Sequence, residues 1–241
     1  MPIHSLQIES RFVRSGVRAL LLLPSGASPS RRLLTLLHGA EETPETILNA
    51  FDLQAAADRL QFAVLIPALG NSVSLDWDDS FGARSALLRE LLPAAQERSG
   101  VSALRGSNVI GGISMGGFGA VSLALCEPER FAAAFSLSGA LDLKKAAQLF
   151  RICRISPPGD LLRAAERPEA QWDALLARSG VRPALYLAWG DQDWFRESNR
   201  SFARQALKQG FSVQALESPG LHDWAYWETS LLPALEWAAA I

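Results

Sequence analysis

Asn108-Val109-Ile110-Gly111-Gly112-Ile113-Ser114-Met115-Gly116-Gly117-Phe118-Gly119-Ala120-Val121-Ser122-Leu123-Ala124-Leu125 holds three kinds of segment in succession. Asn108 to Gly111 is an apolar run of strand length, and Gly117 to Leu125 is an almost wholly apolar run of helix length, ended by Pro128. Between them Gly112-Ile113-Ser114-Met115-Gly116 fits G-x-S-x-G, whose glycines leave room for a serine on a strained strand-to-helix turn. With 18 glycines and 24 serines in 241 residues, the pattern arises by chance roughly 0.1 times per chain. The flanking segments therefore carry as much weight as the motif, and together they mark Ser114 as a candidate nucleophile.

Working outward, apolar strand-length runs alternate with helix-length stretches. The strand candidates are Leu33 to Leu37, Phe62 to Ile66, Asn108 to Gly111, Ala132 to Ser138, Ala184 to Trp189 and Phe211 to Leu216. Helices are expected at Thr46 to Leu60, Ala83 to Arg98, Gly117 to Leu125, Phe195 to Gln209 and Ala225 to Ala239, where apolar residues recur every three or four positions. Gln7 to Val13 and Arg18 to Leu23, parted by Arg14-Ser15-Gly16-Val17, read as an antiparallel hairpin. The expected fold is α/β: a mainly parallel central sheet with an N-terminal antiparallel hairpin and helices on both faces. No linker or internal repeat divides the chain, so residues 1–241 read as one domain, with 141–182 a helical excursion near the site.

Composition removes several classes of function. A chain that is 49% hydrophobic and 20% charged suits a globular protein, and a net charge of -2 gives no general attraction to nucleic acid or an anionic membrane. Cys126 and Cys153 are isolated, and His4, His38 and His222 lie far apart without CxxC or HExxH spacing, so no metal site is expected. The longest apolar runs fall short of the roughly 18 residues of a membrane helix. The start, Met1-Pro2-Ile3-His4, lacks the pattern of a secretory signal, which makes the cytoplasm the expected compartment.

A serine hydroxyl needs a base, and in a strand-turn-helix hydrolase the chain order is Ser, then Asp or Glu, then His. His222 is the only histidine after Ser114. Asp193, Asp191 and Asp142 are the acids at strand ends between them; Asp193 is preferred, because alternation along an extended loop points Asp191 the other way, and Asp142 is the reserve. The Met115 amide supplies one oxyanion donor, and the loop His38-Gly39-Ala40 supplies the second, with Ala40 preferred and Glu41 next. His38 reads as structural. Trp77, Trp194, Phe195 and Trp224 lie in strand-end loops and are candidates to wall a substrate pocket.

These residues resemble the esterase D family of α/β-hydrolases, a group that includes S-formylglutathione hydrolases, tributyrin and cinnamoyl esterases and acetyl-xylan-type esterases. The likeness rests on Leu37-His38-Gly39, Gly111 to Ala120, Phe135 to Asp142, Gly190 to Asp193 and Pro219-Gly220-Leu221-His222-Asp223-Trp224. The family's G-x-x-D motif falls on Asp193. Ala40-Glu41-Glu42 departs from the bulky residue common after His-Gly, and 141–182 matches no family motif. The resemblance implies a serine esterase without metal or organic cofactor, acting on a small-molecule ester. The expected reaction is hydrolysis of short acyl or small aryl esters through an acyl-enzyme, weakening as an imidazole base becomes protonated, near pH 6.5 for a free histidine side chain. Thioester hydrolysis, acyl transfer to an alcohol and a catalytically silent binding protein are the alternatives.

Overall fold

The computed structural model describes residues 3–26 and 30–241; Met1 and Pro2, on which part of the targeting expectation rests, lie outside them. Eight strands form one sheet: β1 (Ile3–Ile8), β2 (Val17–Leu22), β3 (Arg32–Leu37), β4 (Phe62–Ala68), β5 (Asn108–Ile113), β6 (Ala133–Leu137), β7 (Ala184–Gly190) and β8 (Val213–Ser218). Their order is β1-β2-β4-β3-β5-β6-β7-β8, with β1 and β2 antiparallel to their neighbours and every later pairing parallel. A parallel sheet needs cover on both faces, and β3 shows how the sequence provides it. Leu33 and Leu37 join the apolar layer with α3 (Ala83–Ala86), α4 (Leu92–Ser99), α5 (Met115–Cys126) and α9 (Arg196–Lys208). Leu34 and Leu36 face α1 (Pro44–Ala50), α2 (Leu53–Leu60) and α10 (Trp224–Ala240).

Three expectations shift. The first strand of the hairpin is Ile3–Ile8 rather than Gln7 to Val13. Ser10 Oγ accepts the Phe12 and Val13 amides and turns the chain aside, and Val13 then bridges Phe81. The single helix read over Thr46 to Leu60 is two, because Phe51 is extended and Asp52 caps a new start by accepting the Ala55 amide. The helix from Ala83 is continuous to Ser99 but widens into a π turn at Leu87–Leu91. Pro93 explains it: its ring has no N–H and would strike the carbonyl four residues back in a regular α-helix.

Residues 141–182 contain α6 (Leu143–Cys153), which lines the pocket at Ser114, α7 (Leu161–Ala164), which packs on α6, and α8 (Trp172–Leu176), which packs on α5 and α9. Trp172 anchors this segment by donating its indole N–H to Leu141 O and packing its ring on Phe118 and Phe202.

The last strands are tied to α9 by Glu217, which accepts from Trp189, Arg196 and Arg200. The Arg200 hydrogen bonds, more than any other cause, hold its carboxyl down at about 2. A depressed carboxyl stabilises the fold above the ordinary glutamate value of about 4.3, and that contribution is lost as pH falls toward 2. Glu217→Gln is therefore expected to lower the melting temperature at pH 7, by a few degrees at most for a solvent-screened pair, and the difference should vanish near pH 2. Melting curves of both proteins across that range provide the check.

Candidate active site

Ser114 sits between β5 and α5 with φ 53° and ψ -112°, a conformation that strains any residue with a Cβ. The flanking glycines permit it. A Cβ on Gly112 would stand 2.2 Å from Gly116 O, and one on Gly116 would stand 2.3 Å from Leu37 O, so neither position admits a side chain. Ser114 N–H donates to Leu137 O and Ser114 O accepts from Ala140, which locks the turn to the end of β6. The side chain is thereby aimed at the loop between β8 and α10.

There Ser114 Oγ lies 2.9 Å from His222 Nε2, and His222 Nδ1 lies 3.0 and 3.1 Å from the two oxygens of Asp193. A carboxylate only accepts, so Nδ1 carries the hydrogen and Nε2 is left free to accept from the serine. Asp193 is almost fully buried, and its Oδ1 also accepts the Phe195 amide at 2.7 Å, which fixes the carboxylate's rotation. The imidazole is held on three sides by rings: Trp194 stacks on it, while Phe195 and Trp227 meet it edge-on. Asp191 instead accepts the Gly220 amide and shapes the loop that carries His222. Asp142 caps α6 by accepting the Lys144 and Lys145 amides. The three residues singled out in the sequence as nucleophile, base and acid are thus brought together, and the two other acids are engaged elsewhere.

The loop after β3 faces the same point. Gly39 N–H donates to Glu42 and Glu41 N–H donates to Asn71, whereas the Ala40 amide has no acceptor among the described residues. Met115 opens α5, so its amide has no carbonyl within the helix to bond. Both Ala40 and Ser114 line one pocket of about 130 Å³. His38 is buried, with Nδ1 bonded to Gly39 O at 2.7 Å and Nε2 accepting the Leu69 amide at 3.4 Å. Burial pushes its imidazole below the ordinary value against the opposing pull of the Gly39 carbonyl, and the two partners match the tautomer with its hydrogen on Nδ1.

Of the four aromatic residues expected to wall the pocket, Trp194 and Phe195 do so. Trp77 and Trp224 do not. Trp77 donates its indole N–H to Ser72 O and packs against Gly159 and Arg167, away from Ser114. Trp224 turns its indole N–H to Glu42 Oε1 at 2.7 Å and meets the Trp227 ring edge-on. The remaining walls come from Glu42, which the sequence marks only as part of the departure after His-Gly, and from Leu149, Phe150, Cys153, Ile155 and Trp227, none of them expected there from the sequence. Leu149, Phe150 and Cys153 share one side of α6, and their three- and four-residue spacing is the signal that was available. No group of three or more His, Cys, Asp or Glu able to hold a metal ion occurs among the described residues, and no described helix is long and apolar enough to cross a membrane.

An eight-stranded, mostly parallel sheet with a strained serine at a strand-to-helix turn defines an α/β-hydrolase fold. Residues 17–238 match the profile of the esterase family, described as "Putative esterase". The chain belongs to that family of carboxylic ester hydrolases. It is similar to an acetyl esterase of Caldicellulosiruptor saccharolyticus, 24% identical over 266 aligned positions that cover all of this chain and 99% of that one. Among solved structures it is similar to an S-formylglutathione hydrolase of Staphylococcus aureus, with a TM-score of 0.85, 22% identity and 98% of each chain covered. It is also similar to the fluorophosphonate-binding serine hydrolase F of the same organism, with a TM-score of 0.79, 23% identity and 98% of each chain covered.

Proposed function

We propose that this protein is a serine carboxylesterase in which Ser114 attacks a short acyl ester, His222 takes and returns the proton, and Asp193 orients the imidazole. The Ser114 Oγ to His222 Nε2 distance of 2.9 Å carries the reading, since a hydroxyl gains nucleophilicity only from a base in hydrogen-bond reach. As the Ser114 Oγ to carbonyl-carbon bond forms, the carbonyl π electrons move to oxygen, and the Ala40 and Met115 amides receive that charge. His222 then protonates the departing alcohol, and the acyl group remains on Ser114. Water attacks this acyl-enzyme with His222 again as base, which releases the acid and restores the serine. The substrate is a small-molecule ester, the whole chain acts as one domain in the cytoplasm, and the residues named need no cofactor.

Pocket size supports the short acyl group. The pocket of about 130 Å³ is below the roughly 300–1,000 Å³ of sites for drug-sized ligands, and Phe150 and Ile155 stand in its wall. p-Nitrophenyl acetate and butyrate are expected to exceed the octanoate by at least about tenfold in kcat/KM, since each further methylene must leave the pocket or displace Phe150 or Ile155. A fluorophosphonate probe should label Ser114 in the same preparation. A preference for octanoate would overturn the acyl assignment, and absence of a Ser114 adduct would overturn the nucleophile. S-Formylglutathione run alongside reads the thioester alternative: a kcat/KM above that of p-nitrophenyl acetate would make a thiol the preferred leaving group.

A further inference from the structure

Glu42 puts a carboxylate in the wall of the Ser114 pocket, and the reaction described above makes no use of it. Its two oxygens are turned to two donors. Oε2 accepts the Gly39 amide and Oε1 accepts the Trp224 indole N–H, each at 2.7 Å. These partners belong to the loop after β3 and to the first residue of α10, which begins two residues beyond His222. The carboxylate therefore bridges the segment that offers an oxyanion donor and the segment that offers the base.

The bridge acts on a particular peptide. Gly39 N–H is held by Glu42, while Gly39 O is held by His38 Nδ1 at 2.7 Å. The Gly39–Ala40 peptide is planar and trans, so its N–H points opposite to the carbonyl that His38 holds. With both polar groups of Gly39 tied, the Ala40 N–H has one direction left, and it meets no acceptor among the described residues. A Cβ on Gly39 would stand 2.8 Å from Glu42 Oε2, so a side chain there would push the carboxylate off its present position. Burial pushes the Glu42 carboxyl up, opposed by the Gly39 amide and the Trp224 indole.

We propose that Glu42 is a positioning residue for ester hydrolysis, tying the β3 loop to the start of α10 so that the Ala40 amide stays aimed with Met115 at the developing oxyanion. The proposal rests on the serine-esterase reading. Its effect falls on the transition state, because the ground-state carbonyl depends less on these amides than the oxyanion does. A glutamine at 42 keeps one acceptor and turns an NH2 group toward one of the two donors, which loosens the bridge without emptying the space.

Glu42→Gln and Trp224→Phe, made in the full chain, are compared with the parent in kcat and KM for p-nitrophenyl acetate. Ki is measured in each for an aryl trifluoromethyl ketone, which forms a tetrahedral adduct with an active serine. Glu42→Gln is expected to lower kcat ten- to a hundredfold with KM changed less than threefold, and to raise the ketone Ki by the factor that kcat/KM falls. Trp224→Phe, which removes only one donor, should show the same pattern at three- to tenfold. If Glu42→Gln does not fold by circular dichroism, the Trp224→Phe result decides alone. A kcat within twofold of the parent, or a lower kcat with an unchanged ketone Ki, overturns the proposal. Ser114→Ala separates the two readings: activity persisting in that variant overturns the esterase mechanism itself. An inactive Ser114→Ala beside an unimpaired Glu42→Gln overturns only the role of Glu42.

Discussion

Ser114→Ala is expected to abolish turnover of p-nitrophenyl acetate, by roughly 10⁴- to 10⁶-fold in kcat, while leaving the fold intact. The magnitude follows from what the hydroxyl does. In the proposed reaction it is the atom to which the acyl group becomes bonded, and without it the proposed oxyanion donors and the pocket can assist only direct attack by water. Stability should change little or improve slightly. Ser114 holds φ 53° in either form, and alanine suffers the same backbone strain, while its methyl gives up only the hydrogen bond to His222. Steady-state rates and melting temperatures on one preparation measure both effects. A loss of activity accompanied by unfolding, or a residual rate within a hundredfold of the parent, would contradict the assignment.

Asp193→Asn should cost nearly as much, about 10⁴-fold in kcat, the size seen when the corresponding change is made in the well-studied serine proteases. The geometry here supplies the reason. Oδ1 of Asp193 accepts the Phe195 amide at 2.7 Å, so an asparagine would keep its carbonyl oxygen at that donor. Its NH2 would then occupy the place of Oδ2, 3.1 Å from His222 Nδ1. Oδ1 stays 3.0 Å from Nδ1 but already accepts the Phe195 amide, so the contact with the NH2 favours the imidazole with its hydrogen on Nε2, which presents an N–H to Ser114 where an acceptor is required. Because the defect lies in the tautomer, raising pH should restore activity only at values where hydroxide or an anionic side chain substitutes for the base. A pH–rate profile of the variant distinguishes this from simple loss of packing: normal activity at neutral pH would remove Asp193 from the mechanism.

Both predictions begin from residues that could be picked out before any coordinates. The glycines around Ser114 report a local steric requirement, and Gly112 and Gly116 meet backbone atoms within 2.3 Å of where a side chain would begin. The order of serine, acid and histidine along the chain follows from successive strand ends lying side by side in a parallel sheet. The near-continuous apolar runs along β3 and β4 report two covered faces. Each of these signals is carried by neighbours in sequence or by a repeating period, which is why a linear reading reaches them.

The pocket walls followed no such rule. Four aromatic residues were plausible from their place in strand-end loops, yet Trp77 and Trp224 are drawn off by polar partners, Ser72 O and Glu42, while Trp194 and Phe195 remain. The choice between Asp191 and Asp193 also depends on distant groups, since Gly220 claims the first and His222 the second. Phe150, Ile155 and Trp227 reach the site from segments without a motif. The linear chain thus declares the chemistry and the layered sheet, because backbone sterics and side-chain periodicity act over a few residues. Pocket shape and the bridge through Glu42 emerge on folding, because hydrogen bonds and packing between residues up to 182 positions apart choose which side chains face the reacting atoms.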